Sequence, residues 1–281
     1  MEKAENLTAV SGSIYARPDL YDLAFSYRVF EEEFGFLRKA HAKHAPGQVL
    51  NSVLELGCGP ARHAIGLAKT GVPKVTALDL SKAMLQHAEA KAKRARLSAS
   101  VTMSFVQGDM SDMGDSCGGQ RFDMVICLLG TFSHMTTNAA AGKCFGEVAR
   151  HLSPGGVFIL ELSHPGDLFD GTFILGDGGK EVWEVPHGER KVLVEWGAEF
   201  DNFDPVTQVI DRTVSINVFK GEVLEDSLEE VVQYRQFTVQ EIDMLATAHG
   251  MKIDGLYGEM RLDVDLSHEE AYRMVMVLKR A

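Results

Sequence analysis

The sequence predicts an α/β protein, a doubly wound, mostly parallel sheet with an antiparallel β insertion forming a lid. Three observations predict it. Apolar strand-like runs alternate with helical stretches between residues 51 and 162, a rhythm that implies parallel strands joined by right-handed crossovers. The first of these strands, Val53-Leu54-Glu55-Leu56, runs straight into a glycine-rich turn, Gly57-Cys58-Gly59-Pro60-Ala61-Arg62, that a helix follows. Beyond Pro165 the apolar period falls to two, as β-hairpins require.

Each element has its own signal. From Asp19 to about Lys43, Leu20, Leu23, Ala24, Tyr27, Phe30, Phe34 and Leu37 recur at helical spacing, which predicts an amphipathic N-terminal helical region with Tyr27 in its packed stripe. Strands are expected at 51–57, 73–79, 101–107, 122–129 and 156–162, and helices near 61–70, 81–96 and 138–152. Ser81 is placed to cap the helix beginning Lys82-Ala83-Met84, and Lys91, Lys93, Arg94 and Arg96 fall in its last turns, where cations complement the helix dipole. Ser153-Pro154-Gly155-Gly156 reads as the turn that launches the next strand. Strand-like alternation then fills 181–183, 191–200, 207–219 and 223–237, broken by Pro186-His187-Gly188, Asp204-Pro205 and Lys220-Gly221. Thr238-Val239-Gln240-Glu241 is a capping-box pattern opening a helix that ends at Gly250, and strands near 251–257 and 271–279 close the sheet.

The expected organisation is therefore a helical segment and α/β core over 1–162, the insertion over 163–237, and completion of the core over 238–281. The insertion falls over the carboxyl edge, where open α/β sheets bind ligands, as a lid or as a surface for a homodimer. A net charge of −12, with no basic stretch, disfavours nucleic acid as a partner. Cys58, Cys117, Cys127 and Cys144 lack Cys-x-x-Cys spacing, so neither a metal site nor a disulfide framework is expected. With no signal-peptide pattern and no long apolar run, a cytoplasmic protein without membrane contact is expected; a trimmed transit peptide would leave no trace.

A dinucleotide turn wants glycine where Arg62 stands, so the turn permits close backbone approach at Gly57 and Gly59 but is a poor diphosphate site. About twenty residues on, Val75-Thr76-Ala77-Leu78-Asp79 ends in an acid suited to ribose hydroxyls. Through Glu55, Gly57, Gly59 and Asp79 the chain resembles the class I S-adenosylmethionine-dependent methyltransferases, with a Rossmann-like core. Ala61 departs from the family's third glycine, and the Ser-Pro-Gly-Gly turn also has the family's form.

The resemblance implies S-adenosyl-L-methionine as cofactor, released as S-adenosyl-L-homocysteine, and cofactor contacts from Tyr21, Glu55, Gly57, Gly59, Arg62, Asp79, Leu80, Met84, Asp109, Met110 and Leu128. In it Asp109 meets the adenine amino group, the next backbone N–H a ring nitrogen, and Leu80 and Met84 flank the ring; read locally, Asp109 is a helix cap. His134, just past the strand at 122–129, suits a proton acceptor, and Tyr15 joins it as a candidate catalytic group. The faces of Tyr15 and Tyr21 attract a sulfonium or ammonium. Substrate contacts are expected from Tyr27, Glu161, His164, Trp196, Tyr234 and Arg235, subject to the unknown strand register of the insertion. The arrangement is similar to that of bacterial sugar-amine N-methyltransferases and, more distantly, glycine and sarcosine N-methyltransferases. It implies N-methylation of a small-molecule amine, the alternatives being O-methylation of a hydroxyl or carboxylate and cofactor binding without turnover.

Overall fold

The computed structural model describes residues 10–11, 13–114, 116–169 and 180–281. In chain order the elements are β1 (Val10–Ser11), α1 (Pro18–Ala24), α2 (Phe30–His44), β2 (Ser52–Leu56), α3 (Arg62–Lys69), β3 (Lys74–Asp79), α4 (Lys82–Arg94), β4 (Thr102–Gln107), β5 (Phe122–Cys127), α5 (Asn138–His151) and β6 (Leu152–Ser163). They continue with β7 (Glu181–His187), β8 (Arg190–Trp196), β9 (Phe203–Asp204), β10 (Val209–Lys220), β11 (Val223–Arg235), α6 (Val239–Ala248), β12 (Met251–Tyr257) and β13 (Arg273–Arg280).

The core sheet has seven strands in the order β12-β13-β6-β5-β2-β3-β4. β2 to β6 pair in parallel, and β13 runs antiparallel between β6 and β12. Its central strands are buried on both faces, which is why β2 and β5 read as nearly unbroken apolar runs. Leu37, Leu67 and Ala88 pack on one face with Val53 and Val75; Phe145, Val148 and Ile242 pack on the other with Leu54 and Phe158. The second sheet, β1-β11-β10-β8-β7 with β9 beside β10, is antiparallel except at β1. Val192, Val194, Val214, Ile216 and Leu228 on its inner face pack on Leu20 and Ala24 of α1.

Three local readings need correction. The N-terminal helical region is broken: α1 ends where the Ser26 hydroxyl donates to the Leu23 carbonyl, and Arg28 is drawn into a buried ion cluster. Tyr27 therefore sits between two helices, 53% exposed. Ser153-Pro154-Gly155-Gly156 lies within β6 as a bulge, not ahead of it. The pairing jumps from Phe122↔Leu152 to Met124↔Val157, and Gly155, at φ 77°, absorbs the extra residues. Pro186 and His187 belong to β7, so its hairpin turns at Gly188-Glu189.

Helices α2 and α3 meet at Gly66, where an added Cβ would overlap the Phe34 ring. Gly66→Ala is expected to cost about 1–3 kcal/mol through overpacking, read from urea denaturation. An unchanged midpoint would contradict that contact.

Candidate functional site

The glycine turn is built from both ends. Gly57, Gly59 and Ala61 all take left-handed backbone conformations, with φ of 57°, 51° and 54°. A side chain at Gly57 would strike the Thr131 methyl, and one at Gly59 would come within 3.7 Å of the Tyr21 ring. Ala61, as N-cap of α3, has no side-chain oxygen; the Glu55 carboxylate takes over, accepting from the Ala64 N–H at 2.8 Å. At the neighbouring strand end Asp79 accepts from the Gly59 and Ser81 N–H groups, both at 2.7 Å. Burial raises the Asp79 pKa against the pull of these two donors. The Ser81 hydroxyl accepts from Met84 N, capping α4, and donates to the Tyr15 carbonyl.

Between this edge and the second sheet lies a cleft of about 580 Å³. Of the residues expected there, Tyr15, Tyr21, Gly57, Gly59, Asp79, Leu80, Asp109, Met110, His134, Trp196 and Tyr234 line it. So do Phe25, Leu129, Thr131 and Met135, which the sequence reading passed over. A usable signal existed for Phe25, four residues after Tyr21 on a helix. A larger groove of about 1210 Å³ beside α2 includes none of the glycine turn, Asp79 or Asp109.

His134 ends a short 3₁₀ turn, Thr131–His134, that follows β5. Its Nε2 lies 2.9 Å from the Tyr15 hydroxyl, which lies 3.1 Å from the Tyr234 hydroxyl. Burial pushes the His134 pKa down to about 4, so the imidazole is neutral at pH 7. The neutral imidazole and the two phenols thus form one hydrogen-bonded row, Tyr234–Tyr15–His134, with a single proton on the ring. Burial also raises the pKa values of Tyr15 and Tyr234, so both phenols keep their protons.

Other expected site residues stand elsewhere. Met84 is fully buried under α4, and Ala83 faces the cleft in its place. Glu55, Arg62 and Leu128 do not line the cleft but border an adjoining hollow of about 30 Å³ beneath the turn. Arg62 is held by Asp22, which also binds Lys91 at 2.7 Å and His87 at 3.0 Å; Lys91 thus has a specific partner beyond the helix dipole. Tyr27 packs outside the cleft against Trp183. His164 caps the next turn, accepting from Gly166 N, with its other nitrogen 3.1 Å from the Leu266 carbonyl. Strand alternation sends Tyr234 inward and Arg235 the other way, to Asn138 and Glu241.

Glu161 is locked in a buried ionic chain that the sequence did not reveal. It meets Arg28 at 3.0 Å and Arg273 at 2.7 Å, and accepts from Leu129 N at 2.7 Å. Arg28 continues to Glu33 at 2.8 Å, Glu33 to His63 at 2.7 Å, and His63 to Glu55 at 3.3 Å. The chain therefore ties the glycine turn to the loop that carries His134.

Residues 53–156 match the family described as Methyltransferase domain, a span that includes the glycine turn, Asp79, Asp109 and His134. The chain carries a methyltransferase domain and is an S-adenosylmethionine-dependent enzyme. The methyltransferase is 28% identical over 212 residues to the cypemycin N-terminal methyltransferase of Streptomyces sp, covering 74% of this chain and 75% of the relative. It is 26% identical over 196 residues to the dTDP-4-amino-2,3,4,6-tetradeoxy-D-glucose N,N-dimethyltransferase of Saccharopolyspora spinosa, covering 68% and 71%. The fold matches that of the sugar N-methyltransferase KedS8 from Streptoalloteichus sp, with a TM-score of 0.71 at 23% identity over 100% of both chains.

The cofactor of this methyltransferase is S-adenosylmethionine, and the turn fits a ligand without phosphates. The α3 N-terminus that would cradle a diphosphate already carries the Glu55 carboxylate, and Arg62 is spent on Asp22. No helix among the described residues is long and apolar enough to cross a membrane.

Proposed function

We propose that this methyltransferase transfers a methyl group to the nitrogen of a small-molecule amine. The observation that carries this reading is the neutral His134, tethered to Tyr15 and Tyr234 on the acceptor side of the cleft. Two relatives whose names describe methylation of a peptide N-terminus and of an amino sugar support it. When bound, the cofactor supplies a methyl group on a positively charged sulfur.

Asp79 would accept the ribose hydroxyls with its remaining lone pairs, Asp109 and the Met110 N–H would meet the adenine edge, and Leu80 would cover the ring. Gly57 and Gly59 let the ligand lie directly on the backbone, and Tyr21 closes over it. The residues around His134 would hold the amine so that its lone pair could take the methyl group, the C–S electrons returning to sulfur and one N–H proton leaving the nitrogen. With a pKa of about 4, His134 does not keep that proton; it orients the amine and passes the proton to solvent. A histidine that stays uncharged also avoids repelling the cationic cofactor. The second sheet acts as a lid, excluding water while nucleophile, methyl carbon and sulfur are aligned, an effect worth up to about 7–11 kcal/mol in oriented models.

Labelled methyl uptake over a panel of amines, phenols and carboxylic acids tests the proposal. Uptake by phenols or acids alone would overturn it. His134→Ala is expected to lower kcat about a hundredfold while cofactor affinity stays within about twofold. The parent rate should lack an inflection near pH 6.5 and follow deprotonation of the acceptor amine. An unchanged kcat would remove His134 from the mechanism.

A further inference from the structure

The acceptor side of the cleft is walled by rings. Phe25 lies 4.7 Å from Tyr21 and 5.6 Å from Trp196 between centroids; Trp196 lies 5.7 Å from Tyr234, which lies 4.8 Å from His134. Tyr15 completes the wall at 5.6 Å from His134. The charged side chains lining the cleft among the described residues are both carboxylates, Asp79 and Asp109. A third, Glu230, stands behind the ring wall, accepting from Ile14 N at 2.6 Å within the electrostatic reach of Tyr15 and Tyr234.

Charge is distributed the same way on a larger scale. The insertion, residues 163–237, holds 16 Asp and Glu against 6 Lys and Arg, a net of −10 out of −12 for the chain. Its basic groups are already engaged. Lys180 pairs with Glu195, Arg190 with Glu225, Lys191 with Glu184, Lys220 with Glu189 and Arg235 with Glu241, and the buried Arg212 lies in the field of Asp201 and Glu181. A diphosphate in this cleft would face Asp79 and Asp109 and the net negative charge of the insertion, with no cationic side chain lining the cleft among the described residues, whereas a cation is attracted both by the field and by the ring faces.

We infer that the acceptor subsite is an aromatic cage for a small, phosphate-free alkylammonium, and that this enzyme does not take nucleoside-diphosphate amino sugars such as the one named for its Saccharopolyspora relative. The inference rests on the amine-methylation reading and narrows its substrate class. A cationic amine is captured against the rings, loses its proton, and attacks from the same position. Once methylated, it gains contact with the rings, because added methyl groups keep the positive charge while replacing hydration by ring contact.

The test needs no turnover. The full chain, saturated with S-adenosylhomocysteine, is titrated calorimetrically with benzyltrimethylammonium, with its uncharged tert-butyl isostere, and with thymidine diphosphate. The cation is expected to bind about tenfold tighter than the isostere, to lose that preference in Trp196→Leu and keep it in Trp196→Phe, and to remain undisplaced by thymidine diphosphate. Equal affinity of cation and isostere, or displacement by thymidine diphosphate, overturns the inference. Either result leaves the methylation reading standing, since that reading is tested separately by methyl uptake.

Discussion

Asp79→Ala is expected to weaken S-adenosylmethionine binding about a hundredfold or more, measured by calorimetry. The substitution removes two effects at once. The carboxylate proposed to hold the ribose is gone, and the Gly59 and Ser81 N–H groups lose the acceptor that holds two strand ends together at 2.7 Å each. Charge-assisted hydrogen bonds contribute about 1.5–3 kcal/mol each, and two of them suffice for the stated loss. Asp79→Asn, which keeps an acceptor oxygen without the charge, should fall between parent and alanine. Binding within about threefold of the parent in Asp79→Ala would mean that the cofactor lies elsewhere.

Glu161→Ala is expected to cost about 1.5–3 kcal/mol of stability, because it leaves Arg28 with Glu33 alone and Arg273 with Glu259 as its nearest partner, their side chains only 12% and 11% exposed, and removes the acceptor of the Leu129 N–H. The same chain sets a pH window. Burial opposes the Glu161 charge, but the two arginines win and hold its pKa down at about 2; its share of stability is present above the usual carboxylate range and is lost as pH falls toward 2. Burial likewise opposes a charged His63, but the hydrogen bonds its ring donates to Glu33 and Glu55 raise its pKa to about 9. That share is complete below about pH 6.5 and is lost as pH rises through 9. The melting temperature should therefore decline between pH 6.5 and 9, with a shallower slope in His63→Asn. A denaturation midpoint for Glu161→Ala equal to the parent's would refute the buried network.

What could be read from the sequence divides by how far apart the partners are. Ser81 capping Met84 and Thr238 boxing with Glu241 are three-residue relationships, and both form as the sequence implies. The βα rhythm that sets the core sheet is equally local, and it carried Asp79, Asp109 and His134 to one edge. Glu161 is different. Its partners lie 133 and 112 residues away, and nothing near it in sequence announces that its charge is already neutralised. Met84 and Ala83 were separable only by the rotation of α4 about its axis, and Tyr234 and Arg235 only by the register of β11. The break at Ser26 was hidden because an apolar stripe continued across it while the backbone did not.

The turn at Ser13–Arg17 holds both halves of the cleft. Its Tyr15 carbonyl takes the Ser81 hydroxyl at the cofactor edge, its Ile14 N–H binds Glu230, and Arg17 reaches Asp226 on the same strand of the second sheet. Any separation of the second sheet from the cofactor edge on this side must break the bond to Ser81 or those to β11. One turn of five residues therefore fastens the cofactor edge to the second sheet, and the same turn brings the Tyr15 hydroxyl to His134.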